Sequence, residues 1–111
     1  MSMDRIKVIV KEPGEPVGHM TEIENTLEAM QKIVGGYIET VPITVDDERI
    51  ILIVNEEGKY MLLDENFWAP VRGHWDLIVG PVIVCGDSGE DFVDVPIDLD
   101  AWQRAIKKWE D

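Results

Sequence analysis

Four polar residues near the middle of the chain, Glu39, Asn55, Glu56 and Asn66, have the types and spacing to hold a small polar ligand. Tyr37, Glu39, Val41, Ile43 and Val45 fall on one side of an extended segment by its period of two. Glu39 is therefore a carboxylate on an otherwise apolar face. If the apolar segment Ile50 to Val54 is its neighbour, Glu39 and Asn55 reach the same end of a sheet, where a carboxylate and an amide can bind a ligand. A structural use competes: Glu39 satisfies backbone donors near Gly35-Gly36, and Asn55 nucleates the turn Asn55-Glu56-Glu57-Gly58. A second group, Phe67, Trp68, Arg72, His74 and Trp75, lies in a long connection from Asp64 to Asp76. These aromatics either fold back to close one end of the core or form an exposed patch flanked by cations, the kind that anchors protein interfaces. A mobile lid over a pocket is a third use.

Other reactive residues lack the company that chemistry needs. His19 and His74 are the only histidines, and no metal-ligand spacing links them to each other or to Cys85. Cys85 ends an apolar strand and reads as a buried, inert thiol without an adjacent base. Ser88 lacks the strand–turn–helix setting of a nucleophile elbow. Gly35-Gly36 ends a helix, whereas phosphate cradles precede one. No catalytic residue, metal or cofactor is expected, and the reading leans toward a non-enzyme while leaving an enzyme open.

Composition sets the class. The chain has 111 residues, one domain by size, spanning residues 1–111. Lys+Arg 10 against Asp+Glu 23 gives a net charge of -13. That balance disfavours direct binding to nucleic acid or to an anionic membrane. An acidic surface can also imitate the phosphate pattern of DNA, but the acids here form no unbroken row. A single cysteine implies a reducing, cytoplasmic setting. No apolar run approaches the roughly 20 residues that span a bilayer. Met1-Ser2-Met3-Asp4-Arg5 lacks the basic-then-apolar order of a signal peptide.

The elements that must position these residues follow in order. Arg5 to Lys11 alternates, Ile6, Val8 and Val10 facing one way and Lys7, Ile9 and Lys11 the other, as a half-buried strand. Thr21 with Glu24 has capping-box spacing and predicts a helix with Ile23, Leu27, Met30 and Val34 on its apolar face, ended by Gly35-Gly36. Tyr37 to Val45 is a strand whose Pro42 suggests an edge. Ile50 to Val54 has no polar face and belongs at the sheet centre. Lys59 to Leu63 reads as its returning hairpin arm. Leu77 to Cys85 is a strand interrupted at Gly80-Pro81, Phe92 to Ile97 a short further strand, and Asp98 caps a last helix with Leu99, Trp102, Ile106 and Trp109 on one face. The fold class is α+β: two helices and a mixed, largely antiparallel sheet of five or six strands. It opens strand–helix–strand, continues as a meander and closes with the C-terminal helix.

The order Ile33-Val34-Gly35-Gly36-Tyr37-Ile38-Glu39, then Asn55-Glu56-Glu57-Gly58-Lys59, Leu63, Asn66 and Ile78-Val79-Gly80-Pro81, resembles the family described as domain of unknown function 3846. Val8 to Gly14 also looks like that family, so the likeness spans about residues 5 to 86. It implies a protein of phages, plasmids and their bacterial hosts, and it carries no activity, cofactor or catalytic residue. Where relatives often have a basic residue after the asparagine, this chain has Phe67. The expectation is a non-enzymatic interaction protein of mobile-element origin acting on a bacterial cytosolic partner, with a homodimer as a further option. The alternatives are a nucleotide or metabolite binder, or weak enzyme, using Glu39 and Asn55, and an acidic nucleic-acid mimic.

Overall fold

The structure, a computed structural model, describes residues 4–110. Met1, Ser2 and Met3, part of the segment read for a signal peptide, lie outside the described residues, as does Asp111. β1 (Arg5–Lys11) pairs antiparallel with β2 (His19–Glu24), from Arg5 opposite Glu24 to Val10 opposite His19. β2 overturns the helix expected after Thr21. The capping-box spacing is a local option, whereas the ladder to β1 satisfies backbone groups along the whole segment and sets Ile23 beside Ile6. Helix α1 runs Leu27–Val34 instead, with Thr26 as N-cap: its Oγ1 accepts from the Ala29 N–H at 3.1 Å. Met30 and Val34 are buried as expected, while Leu27 is 57% exposed. Gly35 ends the helix in the left-handed conformation, φ 83°, donating its N–H to the Gln31 carbonyl at 2.8 Å.

β3 (Ile38–Val45) and β4 (Glu48–Asn55) form a hairpin whose two turn residues, Asp46 and Asp47, both have positive φ. Thr40 pairs with Ile53 and Val41 with Leu52, so the chain does pass from the double glycine straight into the sheet. With β7 (Val82–Asp87) and β8 (Phe92–Val93), the main sheet has six strands, ordered β2-β1-β7-β4-β3, with β8 pairing to β7. β3 is an edge, where Pro42 costs no ladder bond on the open side. β4 lies between β7 and β3, and its residues from Ile50 to Asn55 are all buried.

Because both sides of β4 are taken, no side remains for a returning arm at Lys59 to Leu63. Those residues form successive turns, with the Met61 N–H donating to Glu57 O and the Leu63 N–H to Gly58 O. Gly58 N–H closes the turn on Asn55 O at 3.1 Å. The long connection read between Asp64 and Asp76 is also corrected. It contains β5 (Glu65–Val71) and the start of β6 (His74–Val79), a two-stranded sheet turning on Arg72 and Gly73, both at positive φ. Gly80, at φ 74°, and Pro81 move the chain from that small sheet to β7 (Val82–Asp87) in the large one. β8 (Phe92–Val93) is shorter than expected, and α2 (Leu99–Glu110) is capped by Asp98, whose Oδ1 accepts from Ala101 N–H at 2.8 Å.

The sheet is covered on both faces. Ile51, Ile53, Ile83 and Cys85 pack with Met30 and Val34 of α1. Ile50, Leu52, Val82 and Val84 pack with Trp102 and Ile106 of α2 and with Phe67, Ala69 and Ile78 of the β5–β6 hairpin. The result is an α+β fold in which every pairing is antiparallel.

Candidate functional site

The backbone brings three of the four polar candidates to one cleft and sends the fourth to another. Glu39, Asn55 and Glu56 line a cavity of about 300 Å³ whose floor includes Val41, Val54, Leu77 and Ile78. The β3–β4 register puts Glu39 opposite Val54 and Ile38 opposite Asn55, so the Glu39 and Asn55 side chains leave the sheet on opposite faces. The Asn55 amide is spent within the fold. Its Nδ2 donates to Val34 O at the end of α1 (3.2 Å), and its Oδ1 accepts from the Glu57 N–H at 2.8 Å. Asn55 is thus the turn-nucleating residue of the structural reading. Glu39 stays exposed beside Glu56 and Glu57, and Asp76 across the cleft pairs with Lys59. What remains for a ligand is an acidic rim over an apolar floor.

Asn66 lies elsewhere. Its Nδ2 donates to Lys11 O (2.9 Å) and to Gly80 O (2.8 Å), and its Oδ1 accepts from Lys11 Nζ at 2.6 Å. Lys11, placed by alternation on the outward side of a half-buried strand, is only 3% exposed. The β5–β6 hairpin and α2 cover that side, which sequence periodicity has no means of showing. Burial holds the Lys11 ammonium below its ordinary value, with the charges of Glu15 and Glu110 acting in the opposite direction. Nζ also sits 5.5 Å from the centre of the Phe67 ring.

The aromatic group divides in the same way. Phe67 is buried, edge-on to Trp102 at 5.5 Å and stacked on Trp109 at 6.1 Å, so it is core and not surface. Trp68 and Trp75 are 52% and 59% exposed. Trp68 pairs with Leu77 and Pro70 with Trp75, which puts all four on the outward face of the hairpin. Arg72 and His74 are exposed at its tip. Sequence reasoning missed the neighbouring turn, where Tyr60 is 91% and Leu62 87% exposed. The unalternating run Tyr60-Met61-Leu62-Leu63 was the available signal. Leu62 also has φ 57°, a left-handed conformation that costs a branched residue roughly 1 kcal/mol. Leu62→Gly should raise the unfolding free energy by up to about 1 kcal/mol in urea denaturation, since the side chain buries little. Unchanged or lower stability would show that Leu62 supports the turn.

Cys85, His19 and His74 line neither of these clefts. Cys85 is fully buried in β7, and desolvation followed by the charge of Asp87 pushes its thiol up to about 12. It should resist maleimide labelling at pH 8 in the native protein and react once denatured; mass spectrometry of the two samples checks this. Rapid native labelling would mean that β7 opens. His19 approaches Glu15 at 3.4 Å at the start of β2, whereas His74 opens β6. Among the described residues, no group of three or more His, Cys, Asp or Glu is placed to hold a metal ion. No helix among them is long and apolar enough to cross a membrane.

No curated protein and no solved structure matches the chain. A family model does, and it extends beyond the resemblance read from the sequence to take in β8 and the tryptophans of α2. Its match runs over residues 6–109, and the chain belongs to that family, Domain of unknown function (DUF3846).

Proposed function

We propose that this protein works by binding another protein, without catalysis, through the outward face of the β5–β6 hairpin and the turn beside it. The observation that carries this reading is the exposure of Trp68, Trp75, Tyr60 and Leu62 next to one acidic cleft. Tyr60 and Leu77 line that same cleft, so the apolar face and the acidic rim are continuous. Large aromatic side chains left in water are the anchors that interfaces use. With a net charge of -13, the complementary partner is basic. In line with the family resemblance, we take the partner to be a bacterial cytosolic protein and the chain to be of mobile-element origin.

The test is a Trp68→Ser/Trp75→Ser variant used as bait in a bacterial lysate beside the unaltered chain. Partner capture should fall at least about tenfold, with the melting temperature within a few degrees because both rings are already half exposed. Unfolding of the variant would make these residues core and end the proposal. Equal capture would move the interface elsewhere.

A second reading rests on the cleft alone: its volume of about 300 Å³ suits a small molecule held by Glu39 and Glu56 over the apolar floor. A thermal-shift screen against metabolites and nucleotides separates the two. Stabilisation that Glu39→Gln removes supports the small molecule, because ligand binding adds to stability by mass action.

A further inference from the structure

The Lys11 cleft is a different feature, with a different chemistry. It encloses about 340 Å³ between β1, the Gly14–Pro16 loop, the start of β5 and the end of α2. Phe67, Trp68 and Trp109 give it aromatic walls, and Glu15 and Glu110 also line it. Lys11 is 3% exposed, yet among the described residues no carboxylate lies within ion-pairing distance of it. An ammonium offers three donors. One goes to Asn66 Oδ1 at 2.6 Å, the ammonium also faces the Phe67 ring, and among the described residues it makes no second hydrogen bond. Asn66 is itself pinned by its bonds to Lys11 O and Gly80 O, so it fixes Nζ in place.

A lysine held this way is costly for stability alone. Removing a cation from water costs several kcal/mol, and an apolar residue of similar volume would fill the position at less cost. A local rule broken without a structural return is the mark of a working site.

We propose that this cleft binds a neutral, planar heteroaromatic ring carrying a carbonyl oxygen, the chemical class that includes nucleobases. The carbonyl takes up the spare donors of Lys11, and the ring lies against Trp68 and Trp109. Glu15 and Glu110 exclude a full anion from the cleft and accept from ring N–H groups. The ammonium's depressed proton affinity agrees with its desolvation in the cleft. This inference shares Trp68 with the hairpin interface, whereas Lys11 and Trp109 belong to this cleft and not to the outward face of the hairpin.

Uridine and guanosine are the probes, titrated into the ¹⁵N-labelled protein with the tryptophan indole N–H signals as readout, and benzoate is the anionic control. The proposal expects saturable shifts of the Trp109 and Trp68 signals with a nucleoside at millimolar or lower concentration, and weaker binding of benzoate. Lys11→Met should lower nucleoside affinity at least about tenfold, as expected for a lost charge-assisted hydrogen bond, with the melting temperature unchanged or raised. It should also leave capture of the protein partner untouched. Trp109→Leu is the second variant and should weaken nucleoside binding too. The proposal is overturned if neither nucleoside shifts these signals, if benzoate binds more tightly than both, or if Lys11→Met binds as the unaltered chain does.

Discussion

Trp102→Ala should lower the unfolding free energy by about 3–5 kcal/mol, the largest single loss expected in this chain. Trp102 is fully buried under the main sheet. Its ring meets Phe67 edge-on at 5.5 Å and Trp109 edge-on at 5.7 Å, so one residue joins α2 to the hairpin. Its indole N–H donates to Val17 O at 2.8 Å, fixing the loop between β1 and β2 as well. Alanine therefore removes apolar burial, two aromatic contacts and the donor of a partly buried carbonyl. At roughly 4 °C or more per kcal/mol, the melting temperature should fall by on the order of 12–20 °C. Trp102→Phe should recover part of the loss, keeping the packing without the hydrogen bond. A drop below about 1 kcal/mol in urea denaturation would mean that α2 docks only loosely on the sheet.

Asn66→Ala should cost about 3 kcal/mol, because it leaves the buried Lys11 ammonium without a hydrogen-bond acceptor and strips the donor from Lys11 O and Gly80 O. The loss should shrink in a Lys11→Met background, where no buried cation is left unpartnered. Strict additivity of the two substitutions would show that they do not act through one contact. The pH dependence gives a second check. In the unfolded chain Lys11 keeps its proton up to about 10.5, and in the folded chain it releases it at lower pH. Between those values the unfolded state binds more protons, so stability rises with pH. The penalty is complete below the folded value and gone above 10.5. Glu15, which faces Lys11 together with Glu110, is held below its ordinary value by the Glu12 N–H and does not change the sign. The stability difference between the unaltered chain and Lys11→Met should therefore move in favour of the unaltered chain as pH approaches 10.5. A constant difference would place the ammonium in water.

Some of this fold is written in short stretches. Gly35 stops α1 because only glycine enters the left-handed conformation cheaply, whatever surrounds it. Asp98 caps α2 through its own side chain, and the spacing of Trp102 and Ile106 fixes the buried face. Ile50 to Val54 offers no polar face, so a covered inner strand was the only place for it. Pro42 marks the edge because it has no N–H to give. Each of these rests on the chemistry of one residue or on periodicity within one element.

What the sequence left open depended on partners distant in the chain. Thr21 and Glu24 are as suited to a helix start as to a strand, and the choice fell to β1, which lies against them. Lys59 to Leu63 could not become a strand because β7, met only after residue 81, already occupied the second side of β4. Arg72-Gly73 closes a hairpin only when β5 and β6 are both present to pair. The same holds for the candidate sites. Sequence alternation sets Lys11 on the side of β1 away from Ile6, Val8 and Val10 and leaves Phe67 open between core and surface, and packing by α2 buries both. Local residue chemistry thus determined the stop at Gly35, the cap at Asp98 and the edge at Pro42, while the tertiary structure decided whether Lys11 and Phe67 keep contact with water, because their burial is set by whatever other element arrives to cover them.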